Sequence, residues 1–360
     1  MQTFGYIRAA IHFLVPSLRS GLPALAVTAV ALASILGGLS GCMDESAGIP
    51  AKAVDSSTAG VLRVSLEGVS LEAITESLDM MAKVAGDSKS PQTVQLAGAI
   101  GLQKMNLDPA TNQSVAAFES ARSSLTAAGA TEVYLLMGEG AEPPVRLLLR
   151  GESGKSSDLG AAAADIVKAA NESAASSGGR QLNGSATATE IARGWYFVNI
   201  DAAMPLEGSA SRAAELDAGL AGLGNAAVAF SARMPADFHE RVARAMDDPQ
   251  GLGPAAMFAA QFEDTVSRLT SVAAGMTFGS SPLLQLQGDF ADEGAASGFA
   301  QQWNELVGMV TGMMAMGAQP DQAEQVAAQA AAMQTALAMA AQGKVVKLEI
   351  DRAKLETLLK

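Results

Sequence analysis

Histidine and cysteine are nearly missing from this chain, which has two histidines and one cysteine in 360 residues. With a single thiol no internal disulfide forms and no cysteine zinc cage assembles, so stability must come from packed apolar cores. The histidines are His12, in the N-terminal leader, and His239, in the segment ADFHERVARAM. There Phe238, Val242 and Met246 recur at helical spacing, and His239 flanks that stripe on the side of the Asp237/Arg241 and Glu240/Arg244 pairs. A zinc-binding HExxH helix needs a second histidine at 243, where Ala243 stands, and no G-x-S-x-G nucleophile elbow occurs. Triad serine hydrolases and zinc enzymes are thereby set aside, and no cofactor or metal is expected.

Acidic residues are also absent from the first 41 positions. Arg8 and Arg19 are the only charges there, and Gly21 to Gly38 is an uncharged apolar run. A positive start, an apolar core and a small-residue exit have the order of a secretory signal peptide. The run ends in Leu39-Ser40-Gly41-Cys42, which resembles the lipobox of bacterial lipoproteins and covers residues 1–42 only. That resemblance implies cleavage between Gly41 and Cys42 and a lipid on the cysteine. An uncleaved spanning helix is the other reading of the run, but Gly37, Gly38, Ser40 and Gly41 set small residues just ahead of the lone cysteine. Two or more acyl chains hold a protein to a membrane without any apolar surface on its body. Met43 rather than aspartate comes after the cysteine, which favours the outer membrane in a host that has one.

Without residues 1–41 the chain keeps 22 basic and 37 acidic residues, a formal charge of −15. Such a balance repels nucleic acid and anionic headgroups. Residues 42–60 read as the lipidated cysteine and a flexible tether, small and polar with Pro50 and no apolar periodicity.

From Val61 a period-two strand, VLRVSLEG, leads to Ser70 as N-cap and a helix with Leu71, Ile74, Leu78 and Met81 on one face. Ser90-Pro91 and Asp108-Pro109 open two further helices, the second stopping near Gly129. Next comes a hairpin, Glu132 to Met137 and then Val145, Leu147 and Leu149 inward against Arg146, Leu148 and Arg150 outward. An alanine-rich helix, Leu159 to Ala170, and a strand pair ending in Trp195 to Ile200 complete the unit. The order recurs: a strand from Ala226, helices over 235–246 and 254–269, a hairpin of 274–278 with 283–287, helices over 292–316 and 320–341, and a strand over 345–350. Val198-Asn199-Ile200-Asp201 matches Leu348-Glu349-Ile350-Asp351, each ending in an aspartate placed to cap the next element. The expected fold is α+β, a mainly antiparallel sheet with helices over one face, in two copies of a strand-helices-hairpin-helix-strand unit at 61–206 and 225–360. Periodicity leaves open whether the two sheets pair side by side or face to face.

Gly151-Glu152-Ser153-Gly154-Lys155-Ser156 resembles the end of a Walker A loop, but the first glycine that wraps the phosphates would fall at Leu149, inside the strand. A polar strand-to-helix turn is expected instead. Acid pairs such as Asp247/Asp248 and Asp292/Glu293 leave a carboxylate-dependent enzyme as a remote alternative. The stretch from Asp289 lacks an EF-hand's ligands, with Ala291 and Ala300 at its third and twelfth positions. Methionine is the one excess, 17 residues, with Met309, Met313 and Met316 on one face of a late helix that also carries Gly308 and Gly312. Adaptable core packing is the first reading of that face, and an apolar ligand or partner surface the second. The sequence therefore points to a membrane-anchored, non-catalytic envelope lipoprotein that binds or scaffolds an envelope protein. A carrier for an apolar small molecule or lipid is the alternative.

Overall fold

The computed structural model describes residues 48–86, 107–138, 145–177, 186–199, 207–235, 237–238, 240, 262, 264–281, 283–316 and 323–359. Its strands are β1 (Thr58–Ser65), β2 (Ala130–Gly138), β3 (Val145–Gly151), β4 (Thr187–Ala192), β5 (Trp195–Asn199), β6 (Val228–Arg233), β7 (Leu269–Thr277), β8 (Leu283–Phe290), β9 (Ala340–Gln342) and β10 (Val345–Ile350). The α-helices are α1 (Leu71–Gly86), α2 (Gln113–Ala127), α3 (Ser156–Ser177), α4 (Ala210–Ala221), α5 (Glu293–Met316), α6 (Ala323–Ala336) and α7 (Arg352–Leu359).

The fold is α+β. The ten strands among the described residues form one antiparallel sheet in the order β4-β5-β3-β2-β1-β6-β7-β8-β10-β9. Read outward from the centre, β1-β2-β3-β5-β4 on one side repeats as β6-β7-β8-β10-β9 on the other. The duplicated unit is thus a property of the topology, and the two copies join side by side. Their seam is the antiparallel pair β1–β6, with Val61 opposite Ser231 and Leu62 opposite Phe230. Side chains alternate across the seam as along any pleated pair, so one apolar face runs through Leu62, Val64, Val228 and Phe230.

Helices were expected on one face only, and the first unit corrects this. Leu147, Leu148 and Leu149 are consecutive apolar residues of β3, and a strand with no alternation is buried on both sides. Leu149 belongs to a core with α1, α2 and α3, through Ile74, Leu78, Leu125, Leu159 and Val167. Leu148 and even Arg146, which alternation placed outward, are buried on the opposite face. There Val61, Tyr134, Leu136, Trp195 and Phe197 pack under α4 and the short helical turn Ala51–Ala53. In the second unit the same face carries Ser271, Gln285, Gln287, Asp289, Lys347 and Glu349 in cross-strand register. It is a polar ladder, with Ser271 donating to Asp289 at 2.5 Å and Gln285 to Glu349 at 3.1 Å.

Other boundaries differ for local reasons. Residues 207–224 were left between the units, yet Ser209 caps α4 by accepting from the Arg212 amide, and Ala213, Leu216 and Leu220 give it a buried stripe. The helix expected over 320–341 ends at Ala336, because Gly343 at φ +60° turns the chain so that β9 pairs with β10. Likewise β7 begins at Leu269, pairing with Phe290 of β8, where a helix end was expected. Asp351 does cap α7, accepting from the Lys354 amide at 2.9 Å, whereas Asp201 lies outside the described residues.

Candidate functional site

The flexible tether expected over 42–60 is corrected over residues 48–60. From Gly48 onward the chain is bound to the body: Ile49, Ala53 and Val54 are 4, 0 and 0% exposed. Both carboxylate oxygens of Asp217 on α4 accept from the Ile49 amide, at 3.0 and 2.8 Å. The Ser209 amide donates to the carbonyls of Ala51 and Val54. Asp55 then takes Arg146 of β3 in an ion pair of 2.5 Å and also accepts from Ser57 and the Thr58 hydroxyl. Burial alone would raise the Asp55 pKa, but the hydrogen bonds from Arg146, Ser57 and Thr58 outweigh it and hold the carboxyl at about 2. Burial pushes Asp217 upward, and the Ile49 amide only partly offsets it. The apolar Ile49, Ala53 and Val54 were the signal for this strap, spaced too irregularly to show a period. Cys42 and Gly41 lie outside the described residues.

Beneath the strap lies a charge cluster that sequence reasoning did not single out. Glu132, 8% exposed, accepts from the Tyr134 hydroxyl at 2.9 Å and lies 3.5 Å from Arg150 and 4.0 Å from Arg63. The Arg150 guanidinium stands 5.4 Å from the centre of the Trp195 ring, a cation–π distance. Arg63 donates to the carbonyls of Gly224 and Ala226. Burial, and next the Glu132 charge, raise the Tyr134 hydroxyl pKa, so it stays a donor. Each of these charged groups meets a protein partner, which makes the cluster a cross-link between β1, β2, β3 and the turn that precedes β6.

The Walker-like turn has a comparable arrangement. Gly154 stands at φ +81°. The Gly154 amide, the Gly194 amide and the Ser153 hydroxyl all donate to the carboxylate of Glu190 on β4, and these bonds lower its pKa, Ser153 foremost. The Lys155 amide donates to the Tyr196 hydroxyl, and its ammonium lies 3.6 Å from Asp158. Donors that would face a phosphate thus hold the chain's own carboxylate, and Lys155 is turned along α3.

Met309, Met313 and Met316 are brought together on α5, but on its outer side, 46, 49 and 81% exposed. The core reading of these three is corrected. Ala296, Ala300, Val307 and Thr311, in steps of four, seven and four, lie on one side and form the buried face of α5. Positions 309, 313 and 316 fall opposite that row. Because the second half of this helix, 306–316, has Thr311 as its one polar side chain, hydrophobicity could not show which side turned inward. Met333 of α6 is buried. A side chain built at Gly308 or Gly312 meets nothing within 4 Å, so neither glycine is required by packing inside the molecule.

Of the carboxylates, Asp292 caps α5 by accepting from the Ala295 amide, which chiefly lowers its pKa, and Arg268 lies 3.1 Å away. Asp247, Asp248 and His239 lie outside the described residues. Among the described residues no three His, Cys, Asp or Glu side chains are grouped to hold a metal ion, and no helix is long and apolar enough to cross a membrane. No family model, curated protein or solved structure matches this chain.

Proposed function

We propose that this chain is a bacterial envelope lipoprotein, exported, cleaved before Cys42 and held to a membrane by lipid on that residue. Its body has a non-catalytic role, binding or scaffolding an envelope protein. Leu39-Ser40-Gly41-Cys42 after an uncharged run is the observation that carries this reading. The binding surface is the outer side of α5, where Met309, Met313 and Met316 stand exposed beside Gly308 and Gly312. Methionine adapts to irregular partners, and two glycines with open space above them admit a close-packed helix. An open, convex helix face fits a protein partner and not an enclosed small molecule, which would need a concave site. Enzymatic roles draw no support from the charge cluster, whose groups are engaged with one another.

Fractionation tests the address. The wild-type chain should sediment with membranes after high-salt washing, and Cys42→Ser should accumulate at precursor length. Normal processing of that variant would overturn the proposal. Native mass spectrometry of the mature chain, extracted from the native envelope in mild detergent, tests the role. A protein partner retained by the wild type and lost in Met313→Lys supports it, whereas an apolar small molecule retained by both would favour a carrier.

A further inference from the structure

The strap changes what the anchor can do. Resting on the lipobox reading, the stretch of chain between anchor and body shortens from the expected 42–60 to residues 43–47, because Gly48 already lies against Asp217 and Ile49 is buried. Six backbone steps separate Cys42 from Gly48, and six fully extended steps span about 20 Å. A relaxed coil of that length spans about 13 Å. The lipidated cysteine sits at the headgroup boundary, so Gly48 cannot stand farther from the lipid than this reach.

We infer that the face formed by Gly48–Val54 and α4 is the membrane-proximal side of the molecule, held against a phospholipid surface by the anchor. Three observations agree. The strap is fastened at both ends, by Asp217 to the Ile49 amide and by Arg146 to Asp55, so load on the anchor is borne by the body at this face. The exposed positions of α4 are Ala210, Ser211, Ala214, Glu215, Ala218 and Ala221, a single acid on the helix's outer side in a strongly acidic protein. The acid among them, Glu215, is paired with Arg212 at 2.9 Å and lies 3.6 Å from Arg233. An anionic headgroup layer therefore meets little repulsion at α4, while Asp289 and Glu349 on the same sheet face belong to the second unit's polar ladder. On the opposite face of the sheet lie α1, α2 and α3 of the first unit, through the core that contains Leu149, and α5 of the second, through Phe290 and Val346. The methionine face then belongs to the membrane-distal layer, where a protein and not lipid would reach it.

Quenching by lipid tests this orientation. Once Cys42 carries lipid the body has no other cysteine, so a single new thiol labels cleanly. The lipidated full chain is reconstituted in phosphatidylcholine/phosphatidylglycerol vesicles containing a headgroup quencher, with a fluorophore on Ala214→Cys of α4 or on Ser123→Cys of α2. Both positions are exposed, and they lie on opposite faces, two layers or roughly 20 Å apart. The α4 label should be quenched at least threefold more than the α2 label, and about twenty Gly/Ser residues inserted after Asp44 should bring the two within a factor of 1.5. Equal quenching without the insertion, in protein that floats with the vesicles, overturns the orientation and leaves the anchor standing. Failure to float overturns the lipobox reading and the orientation together.

Discussion

Asp55 and Arg146 fasten the strap, and removing the carboxylate charge should loosen it by a measurable amount. Arg146 is buried, its Nε has no hydrogen-bond partner, and Asp55 is the counter-ion of its guanidinium. Stranding one member of a fully buried pair costs about 3–5 kcal/mol. The Asp55 side chain keeps 23% of its surface in water, which relaxes the penalty, so Asp55→Asn should cost about 1–3 kcal/mol. Linkage gives an independent figure. A shift from 3.8 to about 2 corresponds to no more than about 2.4 kcal/mol, reduced by solvent screening to about 1 for the ionised pair alone. Because the folded pKa is the lower one, this stability is fully present above the unfolded value of 3.8 and is lost as pH falls through about 2. Urea unfolding of residues 43–360, monitored by circular dichroism, should show a gap between wild type and Asp55→Asn at pH 7 that closes between pH 4 and 2. Asp55→Asn/Arg146→Met should recover part of the loss. A gap below about 0.3 kcal/mol at pH 7, or one that persists unchanged at pH 2, would refute the clamp.

Gly219→Ala should destabilise by about 1–3 kcal/mol, since its new methyl would be driven into Ser231 where α4 lies on β6; an unchanged urea midpoint would contradict that close approach. Gly194→Ala forces a methyl against the Gly151 carbonyl at φ +72° and should cost a similar amount, read by the same assay. Lys155→Ala should alter stability by less than about 0.5 kcal/mol and add or remove no nucleotide affinity in calorimetry with ATP. The two units should unfold in one calorimetric transition, and residues 48–206 alone should fail to fold, because that fragment lacks α4, exposes the β1 edge and loses Val228 and Phe230 from its core.

The duplicated order was legible from the succession of elements, strand, helices, hairpin, helix and strand, and Val345 to Ile350 alternates as a half-covered strand should. Side-by-side joining was not legible, since Val61 to Ser65 reads the same whether its second edge meets β6 or water. The second covered face could have been read from Leu147-Leu148-Leu149, where alternation fails, and α4 from Ser209 with Leu216 and Leu220. The charge cluster was hidden because Arg63, Glu132 and Arg150 occupy alternating strand positions, where a polar side chain means solvent unless another layer covers it. Nothing local shows that α4 and residues 48–54 cover this face of the first unit. The same limit applies to α5: its composition signalled the methionines, but only the position of α6 and the sheet decides which row is buried.

The central claim is the lipid on Cys42, and mass spectrometry of the N-terminal peptide of the membrane-extracted native protein tests it most directly. The expected product is a chain beginning at Cys42 with diacylglycerol on the sulfur, so that the first unmodified residue is Met43. A peptide containing Gly41 joined to an unmodified Cys42 would contradict it, and with it the assignment of the α4 face to the membrane.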